Sequence, residues 1–375
     1  METEPQTSLA ELARVFLKLG TIAFGGPAAH IAMMEDEFVV RRQWLARDEF
    51  LDLIGAANLI PGPNSTEVAI HVGRARRGIP GLLVAGACFI IPAALIVAAV
   101  AWAYVRFGQL PAVARVFYAL KPVVIAIVAQ AIVRLGRSAT KSWTLAAIGA
   151  AAVLATVTGV NEIVVLLASG LLAIAVTRRA RPTLAATAFV PMLQASAGGI
   201  AQVSLATLFG TFVKIGAVLF GSGYVLLAFL RADFIEHLHW LTERQLLDAV
   251  AVGQMTPGPV FTTATFVGYL VAGGSGAAVA TIGIFLPAFA FVALSAPIVA
   301  RIRRSANASA FLDGVNVGAL ALMAVVTYQL GRVALVDLLT WGMALVALLL
   351  LVRYRVNSAW LIGAAIVIGV ARALV

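Results

Sequence analysis

The sequence is poor in charged residues and in cysteine. Only 12% of its 375 residues are Asp, Glu, Lys or Arg, about half the usual share of a soluble domain, whereas 62% are hydrophobic. Its single cysteine, Cys88, lies in an apolar run, which excludes intrachain disulfides and thiolate metal sites. The mean hydropathy is +0.99, and several runs reach the roughly 20 apolar residues that cross a bilayer. The sequence therefore predicts an all-α, polytopic helical membrane protein.

The sequence also lacks the usual motifs of metal-dependent and intramembrane enzymes. It contains no HExxH, no GxSxG and no pair of intramembrane aspartates, and only four histidines. The first residues include acids but no basic segment, so no cleaved signal peptide is expected. The net charge of +10 comes from short arginine clusters between apolar runs, which favours membrane orientation over nucleic-acid binding. We therefore expect no enzyme activity, cofactor, metal or nucleic acid.

What the sequence does contain is a repeat of about half its length. Residues 16–20, FLKLG, correspond to residues 212–216, FVKIG, which lie 196 positions later. The same spacing relates Pro61-Gly62-Pro63 to Pro257-Gly258-Pro259, and a spacing one residue shorter relates Pro92 to Pro287. We predict two homologous repeats, residues 1–180 and 200–375, joined by a linker at 181–199.

The distribution of arginine indicates that the two halves are inverted. Residues 74–77 carry three arginines, whereas the matching loop at 269–276 carries no charge. One span later the bias reverses, because residues 301–304 carry three arginines and the matching turn has only Arg106 and Arg115. Basic loops of one half thus match poorly charged loops of the other, which predicts repeats of inverted topology.

Each half is expected to hold the same succession of segments. In the first half we predict a helix at about 9–33, a broken segment at 48–73, long spans at 80–104 and 112–134, and a hairpin at 142–177. The counterparts cover about 205–230, 243–270, 277–299, 311–330 and 337–373. About ten crossings follow if the Pro-Gly-Pro segments are re-entrant, and about thirteen if they and the linker cross. Both alternatives stay open.

The two Pro-Gly-Pro segments should interrupt helices inside the membrane. Proline lacks an N–H group, and glycine permits backbone angles that other residues avoid. Each new helix start offers free N–H groups that suit an anion. Asn64, Ser65 and Thr66 are expected to cap the first new helix, and Thr262 and Thr263 the second. We predict one anion site near the midplane, built from both starts; a pair of structural kinks is the alternative.

Two further paired features belong to the predicted site. The segments FGGP at 24–27 and FGSG at 220–223 leave amides for a ligand or, alternatively, serve close packing. Lys18 and Lys214 lie about 15 Å into their helices and would attract a dianion, snorkelling being the alternative. Glu67 and His71 are the predicted carriers of a coupling proton. The predicted binding residues are Lys18, Gly25, Gly26, Asn58, Pro61, Gly62, Pro63, Asn64, Ser65, Lys214, Gly221, Ser222, Gln254, Thr256, Pro257, Gly258, Pro259 and Thr262.

As a set, four motifs resemble the chromate ion transporter family in its long, two-domain form. They are KLGTIAFGGP at 18–27, NLIPGPNSTEVAIHVG at 58–73, KIGAVLFGSGYVL at 214–226 and GQMTPGPVFTTATFVGY at 253–269. The resemblance implies a multi-pass carrier of the plasma (inner) membrane, an antiporter driven by protons that exports chromate and confers chromate resistance. Sulfate or another small anion, a passive anion channel and a homodimer stay open. FGSG replaces the expected FGGP in the second half, so equal roles for the halves do not follow.

Overall fold

The structure, a computed structural model, describes residues 7–177, 203–220, 223–302 and 305–374. The predicted linker at 181–199 lies outside these residues, as do Gly221 and Ser222. The described residues are helical, without strands, as the sequence predicts. The helices are α1 Leu9–Ile22, α2 Pro27–Glu35, α3 Arg47–Ala57, α4 Asn64–Phe107, α5 Pro111–Ala139, α6 Trp143–Val157, α7 Glu162–Thr177, α8 Leu205–Val218, α9 Leu226–Arg231, α10 Glu243–Met255, α11 Thr263–Ile302, α12 Ala306–Ala334, α13 Leu338–Arg353 and α14 Ser358–Leu374.

Corresponding elements of the two halves share their irregularities. A π-helical turn follows α2 at Asp36–Arg41, and another follows α9 at Ala232–His237. An ion pair joins the same two positions in each half, but with the charges exchanged. It is formed by Glu35 and Arg47, 3.4 Å apart, in the first half and by Arg231 and Glu243, 2.7 Å apart, in the second. The repeat in sequence is therefore also a repeat in local structure.

The long helices α4 and α11 are bent into hairpins. In a straight helix, Gly73 and Gly81 would lie about 12 Å apart along the axis. Here a Cβ atom on Gly73 would lie 2.3 Å from the carbonyl oxygen of Gly81, and a Cβ atom on Gly268 would lie 2.3 Å from that of Gly276. The bends fall at positions 78 and 273, which are glycines with φ of +60° and +62°. Each helix thus returns along itself, with glycines where its two arms touch.

The expectation of one continuous first helix at 9–33 was wrong. Helix α1 ends before Gly25 and Gly26, which have φ of +100° and +78°, and α2 starts directly after them. The chain then doubles back, because the Arg42 side chain reaches Glu11 near the start of α1, 2.6 Å away. Two glycines in the left-handed region, followed by a proline without an N–H group, end one helix and start another.

The segment around the first Pro-Gly-Pro also doubles back. Arg76, at the end of the first arm of α4, donates a hydrogen bond of 2.8 Å to the carbonyl of Trp44, just before α3. Its Nε also donates to the hydroxyl of Thr7, just before α1. The starts of α1 and α3 and the tip of the α4 hairpin therefore lie at one end of the molecule. The Pro-Gly-Pro turn lies at the inner end of this segment.

Helices α5 and α12 are counterparts, and they lie antiparallel to each other. Lys141, just after α5, pairs with Asp313 near the start of α12 at 2.8 Å. At the other end, Tyr118 near the start of α5 donates a hydrogen bond to Asp337, just after α12. The short hairpin α6–α7 packs on α12 of the other half, and α13–α14 packs on α5. Each half thus holds the central helix of the other.

Among the residues that the structure describes, four helical segments are long and apolar enough to cross a membrane. They are Asn64–Phe107, Pro111–Ala139, Val260–Leu294 and Ala306–Ala334. Large apolar side chains remain exposed on their outer faces, among them Leu95 at 65% and Leu294 at 68%. The 14 residues of α1 extend only about 21 Å, less than a hydrocarbon core of about 30 Å. Long apolar helices with exposed apolar faces identify a membrane protein.

Candidate functional site

Each Pro-Gly-Pro turn is bound by the opposite half of the molecule. The N–H group of Gly62 donates to the carbonyl of Leu219, just after α8, and that of Gly258 donates to the carbonyl of Ala23, just after α1. Both bonds are 2.8 Å long. The four residues are counterparts at the spacing of the repeat, so the two bonds are one interaction made twice. We call them the crossed backbone pair.

Both central glycines occupy positions that exclude a side chain. Gly62 has φ of +142° and Gly258 has φ of +86°. A Cβ atom on Gly62 would lie 2.3 Å from Oε1 of Glu67, and one on Gly258 would lie 2.5 Å from Cβ of Ala93. Glycine is therefore required here both for the backbone angle and for the close approach.

A cavity of about 540 Å³ lies beside the first break, and we call it the central cavity. The starts of α2 and α4 form one wall, and the 3-10 turns Gly223–Val225 and Val260–Thr262 form another. Helices α5 and α12 close the remaining side. Its polar and break-forming lining residues are Pro27, Asn58, Pro63, Asn64, Ser65, Arg134, Ser138, Lys141, Tyr224, Pro259, Asp313 and Asn316. Both breaks thus contribute residues to one space.

The helix starts around the central cavity lack side-chain caps, as do those of α3, α5 and α9, whereas six other helices are capped. Helices α1, α6, α8, α10, α12 and α13 begin after a Ser, Thr or Asp whose side chain accepts a hydrogen bond from the first turn. Helix α2 follows Gly26 and α4 follows Pro63, and neither residue makes such a bond. The 3-10 turn after Pro259 is also uncapped. Free amides therefore remain at the cavity wall, the arrangement that binds anions at helix starts.

The predicted capping residues do not cap. Asn64 is the first residue of α4, and its side-chain amide donates to Oδ1 of Asn58 at 2.6 Å. The hydroxyls of Thr262 and Thr263 donate to backbone carbonyls three residues earlier. A proline occupies the cap position in both cases, which moves the polar residues one step into the helix. The prediction failed because it did not place the cap relative to the proline.

His30 is a buried residue of this site that sequence reasoning missed. Its Nδ1 lies 3.3 Å from Oγ of Ser65, at the start of α4. Its Nε2 lies 3.1 Å from the carbonyl oxygen of Ala23, the same oxygen that accepts from Gly258. His30 therefore links the end of α1, the start of α4 and the crossed backbone pair. The repeat gave no signal for it, because its counterpart is Leu226.

Glu67 and His71 lie directly behind the first break. Glu67 is fully buried, and neither carboxylate oxygen has a hydrogen-bond partner among the described residues. Its Oε1 lies against Gly62. His71, one turn further on, is 7% exposed, and its Nε2 also lacks a partner among these residues. The structure thus brings both predicted proton carriers to the Pro-Gly-Pro turn, behind the cavity wall.

The two predicted lysines are not brought together at the central cavity. Lys18 lies on the exposed face of α1, and Lys214 on the corresponding exposed face of α8. Lys214 forms an ion pair with Asp233 of the π-helical turn after α9. Arg134 does line the cavity, beside the ion-paired Lys141, and its counterpart in α12 is Gln329. A single arginine near the end of a long span gave no sequence signal of this role.

Arg134 also borders a neighbouring cavity of about 530 Å³, which holds the first glycine of FGGP. A Cβ on Gly25 would lie 3.6 Å from Oδ1 of Asn357, and one on Gly26 would lie 3.7 Å from the hydroxyl of Tyr224. Gly25 and Gly26 of the first half therefore lie near Tyr224 of the second half beside Arg134, at the start of α2.

The two breaks differ in exposure. At the first break Asn58 is exposed, and Pro61 and Asn64 are half-buried. At the second break, Pro257, Gly258, Pro259, Thr256 and Thr262 are all buried, and the amide nitrogen of Gln254 is buried without a partner among the described residues. Both breaks line the central cavity, but the first break includes exposed and half-buried residues whereas these residues of the second are buried.

Comparison with known proteins fits this duplicated architecture. The family model "Chromate transporter" matches residues 10–174 and again residues 206–370. The chain belongs to the chromate transporter family. It is 36% identical to the chromate transport protein of Cupriavidus metallidurans, over 98% of this chain and 94% of the relative. It is 33% identical to a probable chromate transport protein of Synechococcus elongatus (97% and 93% covered) and 32% identical to the chromate transport protein of Pseudomonas aeruginosa (92% and 86%). No solved structure matches this chain.

Gly258→Ala should destabilise the folded protein more than Gly159→Ala. Both glycines have φ near +85°, at +86° and +83°, so both variants carry the same backbone strain. Only at Gly258 would the new Cβ overlap another atom, 2.5 Å away, whereas Gly159 has no neighbour within 4 Å. We expect Gly258→Ala to cost about 1–3 kcal/mol more, measured as a lower melting temperature of the purified protein. Equal melting temperatures would contradict the crossed backbone pair.

Proposed function

We propose that this member of the chromate transporter family is a secondary active carrier that exports chromate across the plasma membrane in exchange for protons and so confers resistance. The central cavity carries the proposal. Uncapped starts of α2 and α4, with Arg134 beside them, surround a space large enough for a small oxyanion. Free amides and one guanidinium are donors that stabilise a tetrahedral dianion. The relatives named as chromate transport proteins support the choice of anion.

Sulfate is the second candidate substrate. It has the same shape and charge as chromate, and backbone amides do not distinguish the central atom of a tetrahedral oxyanion. The same donors at the starts of α2 and α4 would therefore hold either ion. A carrier selective for chromate would need a contact that these donors do not supply.

We propose further that the halves, residues 1–180 and 200–375, lie in opposite orientations across the bilayer. The antiparallel packing of the counterparts α5 and α12 supports this arrangement. The doubled-back segments support it too, because each would then enter the membrane from one face and return to it. The Pro-Gly-Pro turns would meet near the midplane, joined by the crossed backbone pair.

The difference between the two breaks suggests how transport proceeds. The central cavity extends toward Lys141 and Asp313 at one end of α5, so an anion in this state arrives from that end. The second break is packed and closes the other end. A carrier alternates between such states, and inverted repeats do so by exchanging the conformations of their halves. In the opposite state the second break would open and the first would pack.

Glu67 is the group that we propose to couple this change to protons. An ionised carboxylate without a hydrogen-bond partner is costly inside a membrane, so a fully buried Glu67 is more stable in its protonated form. Its contact with Gly62 joins it to the turn that must move. If Glu67 releases its proton when the first break opens and takes one up when it closes, the proton gradient is linked to the movement of this break. The counterpart position holds Thr263, so only one half would carry the proton.

Arg134→Gln should reduce the uptake of radiolabelled chromate and of sulfate into inverted membrane vesicles at least tenfold. The variant removes the only arginine in the described lining of the central cavity. Arg106→Gln, at the exposed end of α4, is the matched control and should keep the parental rate. Parental rates in Arg134→Gln vesicles that contain normal amounts of protein would refute the substrate site.

Glu67→Gln should abolish the dependence of uptake on a pH gradient while anion–anion exchange continues. The amide keeps the shape of the acid but cannot exchange a proton. Asp48→Asn, at the exposed start of α3, serves as control and should remain gradient-dependent. Full gradient dependence in Glu67→Gln would assign the coupling to another group.

Single cysteines at Gln43 and His239 should react from opposite faces of the membrane. These exposed residues are counterparts, and both adopt a positive φ at the turn before a Pro-Gly-Pro segment, +51° and +55°. In a Cys88→Ser background, an impermeant maleimide applied to vesicles of known orientation should label only one of the two. Labelling of both from the same face would exclude the inverted arrangement.

A further inference from the structure

A second cavity, of about 720 Å³, lies at the end of α5 opposite to the opening of the central cavity. Four cations line it, Arg115, Lys121, Arg244 and Arg372, and none of its described lining residues is acidic. We call this space the basic vestibule. Such a concentration of positive charge between low-dielectric walls attracts anions from solution.

Lys121 is the buried member of the basic vestibule. Its side chain is 11% exposed, and its Nζ lies 2.9 Å from Oδ1 of Asp248, whose side chain is 2% exposed. The hydroxyl of Tyr104 donates to the other oxygen of Asp248 at 2.7 Å. An ion pair inside an apolar helix bundle loses much of its hydration and is a weak source of stability, so its presence points to a function.

The repeat indicates what these two positions do. The counterpart of Lys121 is Asn316, which lines the central cavity, and the counterpart of Asp248 is Asp52, which is exposed on α3. At the first break this pair of positions is open, because Asn316 lines the central cavity and Asp52 is exposed. Near the second break Lys121 of the first half and Asp248 of the second half close on each other. The ion pair therefore lies where a cavity beside the second break would open.

Helix α5 connects Lys121 to the central cavity, and helix α10 connects Asp248 to the second break. Lys121 and Leu135 lie on one face of α5, because 14 residues are close to four turns, and are about 21 Å apart along the axis. Leu135 lines the central cavity, and Val124 and Val128 lie buried between them, 1% and 0% exposed. Asp248 lies in α10, about two turns before the second break. A movement of that break would therefore displace Asp248.

We propose that the basic vestibule is a second anion site, in which Lys121 exchanges Asp248 for the small tetrahedral oxyanion that the protein carries. The proposal rests on the proposed function. An incoming dianion offers Lys121 two charges in place of one, and Arg244 supplies a second cation to hold it. Asp248, released from Lys121, stays bonded to Tyr104 and frees α10 to move. The anion thus favours the open form of this face because it binds Lys121 only there.

The test is equilibrium binding of radiolabelled sulfate to the purified full-length protein in detergent, in an Arg134→Gln background that weakens the central site. Lys121→Gln should raise the dissociation constant about tenfold. Asp248→Asn should lower the dissociation constant at least threefold, because it removes the competing carboxylate.

Arg244→Gln, which replaces an exposed cation of the vestibule, should weaken binding about threefold without affecting folding. Arg332→Gln, an exposed arginine in α12 outside the vestibule lining, is the control and should leave binding unchanged.

Opposite effects of Lys121→Gln and Asp248→Asn separate this proposal from a merely structural ion pair, which would make both variants weaker. Equal binding by Lys121→Gln, Arg244→Gln and Arg332→Gln would overturn the proposal. If Lys121→Gln does not fold, the signs of the Asp248→Asn and Arg244→Gln effects decide it. Transport is measured separately on the parent. If the parental protein binds sulfate in the vestibule but transports neither sulfate nor chromate, the proposed function is refuted and the proposed anion site in the vestibule stands.

Discussion

The architecture depends on the crossed backbone pair, in which Gly62 binds the carbonyl of Leu219 and Gly258 that of Ala23. A backbone broken by proline inside a membrane leaves polar groups that lipid cannot satisfy. Here the N–H group of the central glycine of each break donates to a carbonyl that lies just after a helix of the other half, α8 or α1. Each turn thus takes a backbone hydrogen bond from the other half rather than from its own. The need for glycine at both turns follows from the same closeness.

The crossed backbone pair joins segments whose helix starts surround one space. Six helices elsewhere are capped by Ser, Thr or Asp, whereas the starts after Gly26, Pro63 and Pro259 are not. Uncapped amides in protein interiors need a partner, and an anion can supply one. The open starts at the central cavity follow from the glycine and the prolines that occupy their cap positions.

Symmetry of sequence does not impose symmetry of environment. Asn58, Pro61 and Asn64 at the first break are exposed or half-buried, whereas Pro257, Gly258 and Pro259 at the second are buried, although both breaks read Pro-Gly-Pro. Asn316 borders a cavity, while its counterpart Lys121 is buried against Asp248. The same motif therefore occupies two different environments in the two halves.

Much of the fold could be read from the chain, because its signals are local. Apolar runs gave the long helices, and the spacing of matching motifs gave the repeat. The first helix was misread because FGGP resembles a packing motif, yet its two glycines take positive φ and turn the chain back. Among the site residues, the Pro-Gly-Pro turns were found, while His30 and Arg134 were missed. Their counterparts are Leu226 and Gln329, so the repeat does not duplicate either basic side chain, and a single polar residue in an apolar helix has no pattern to reveal it.

The sequence by itself determined where helices break, since proline and glycine act on their own backbone. It also determined that there would be two such breaks in matching places. Only the tertiary structure decided that each break is completed by the other half, that Lys18 and Lys214 point away from the cavity, and that Lys121 meets Asp248. Those outcomes depend on contacts between residues more than a hundred positions apart, for which local chemistry offers many partners and packing selects one.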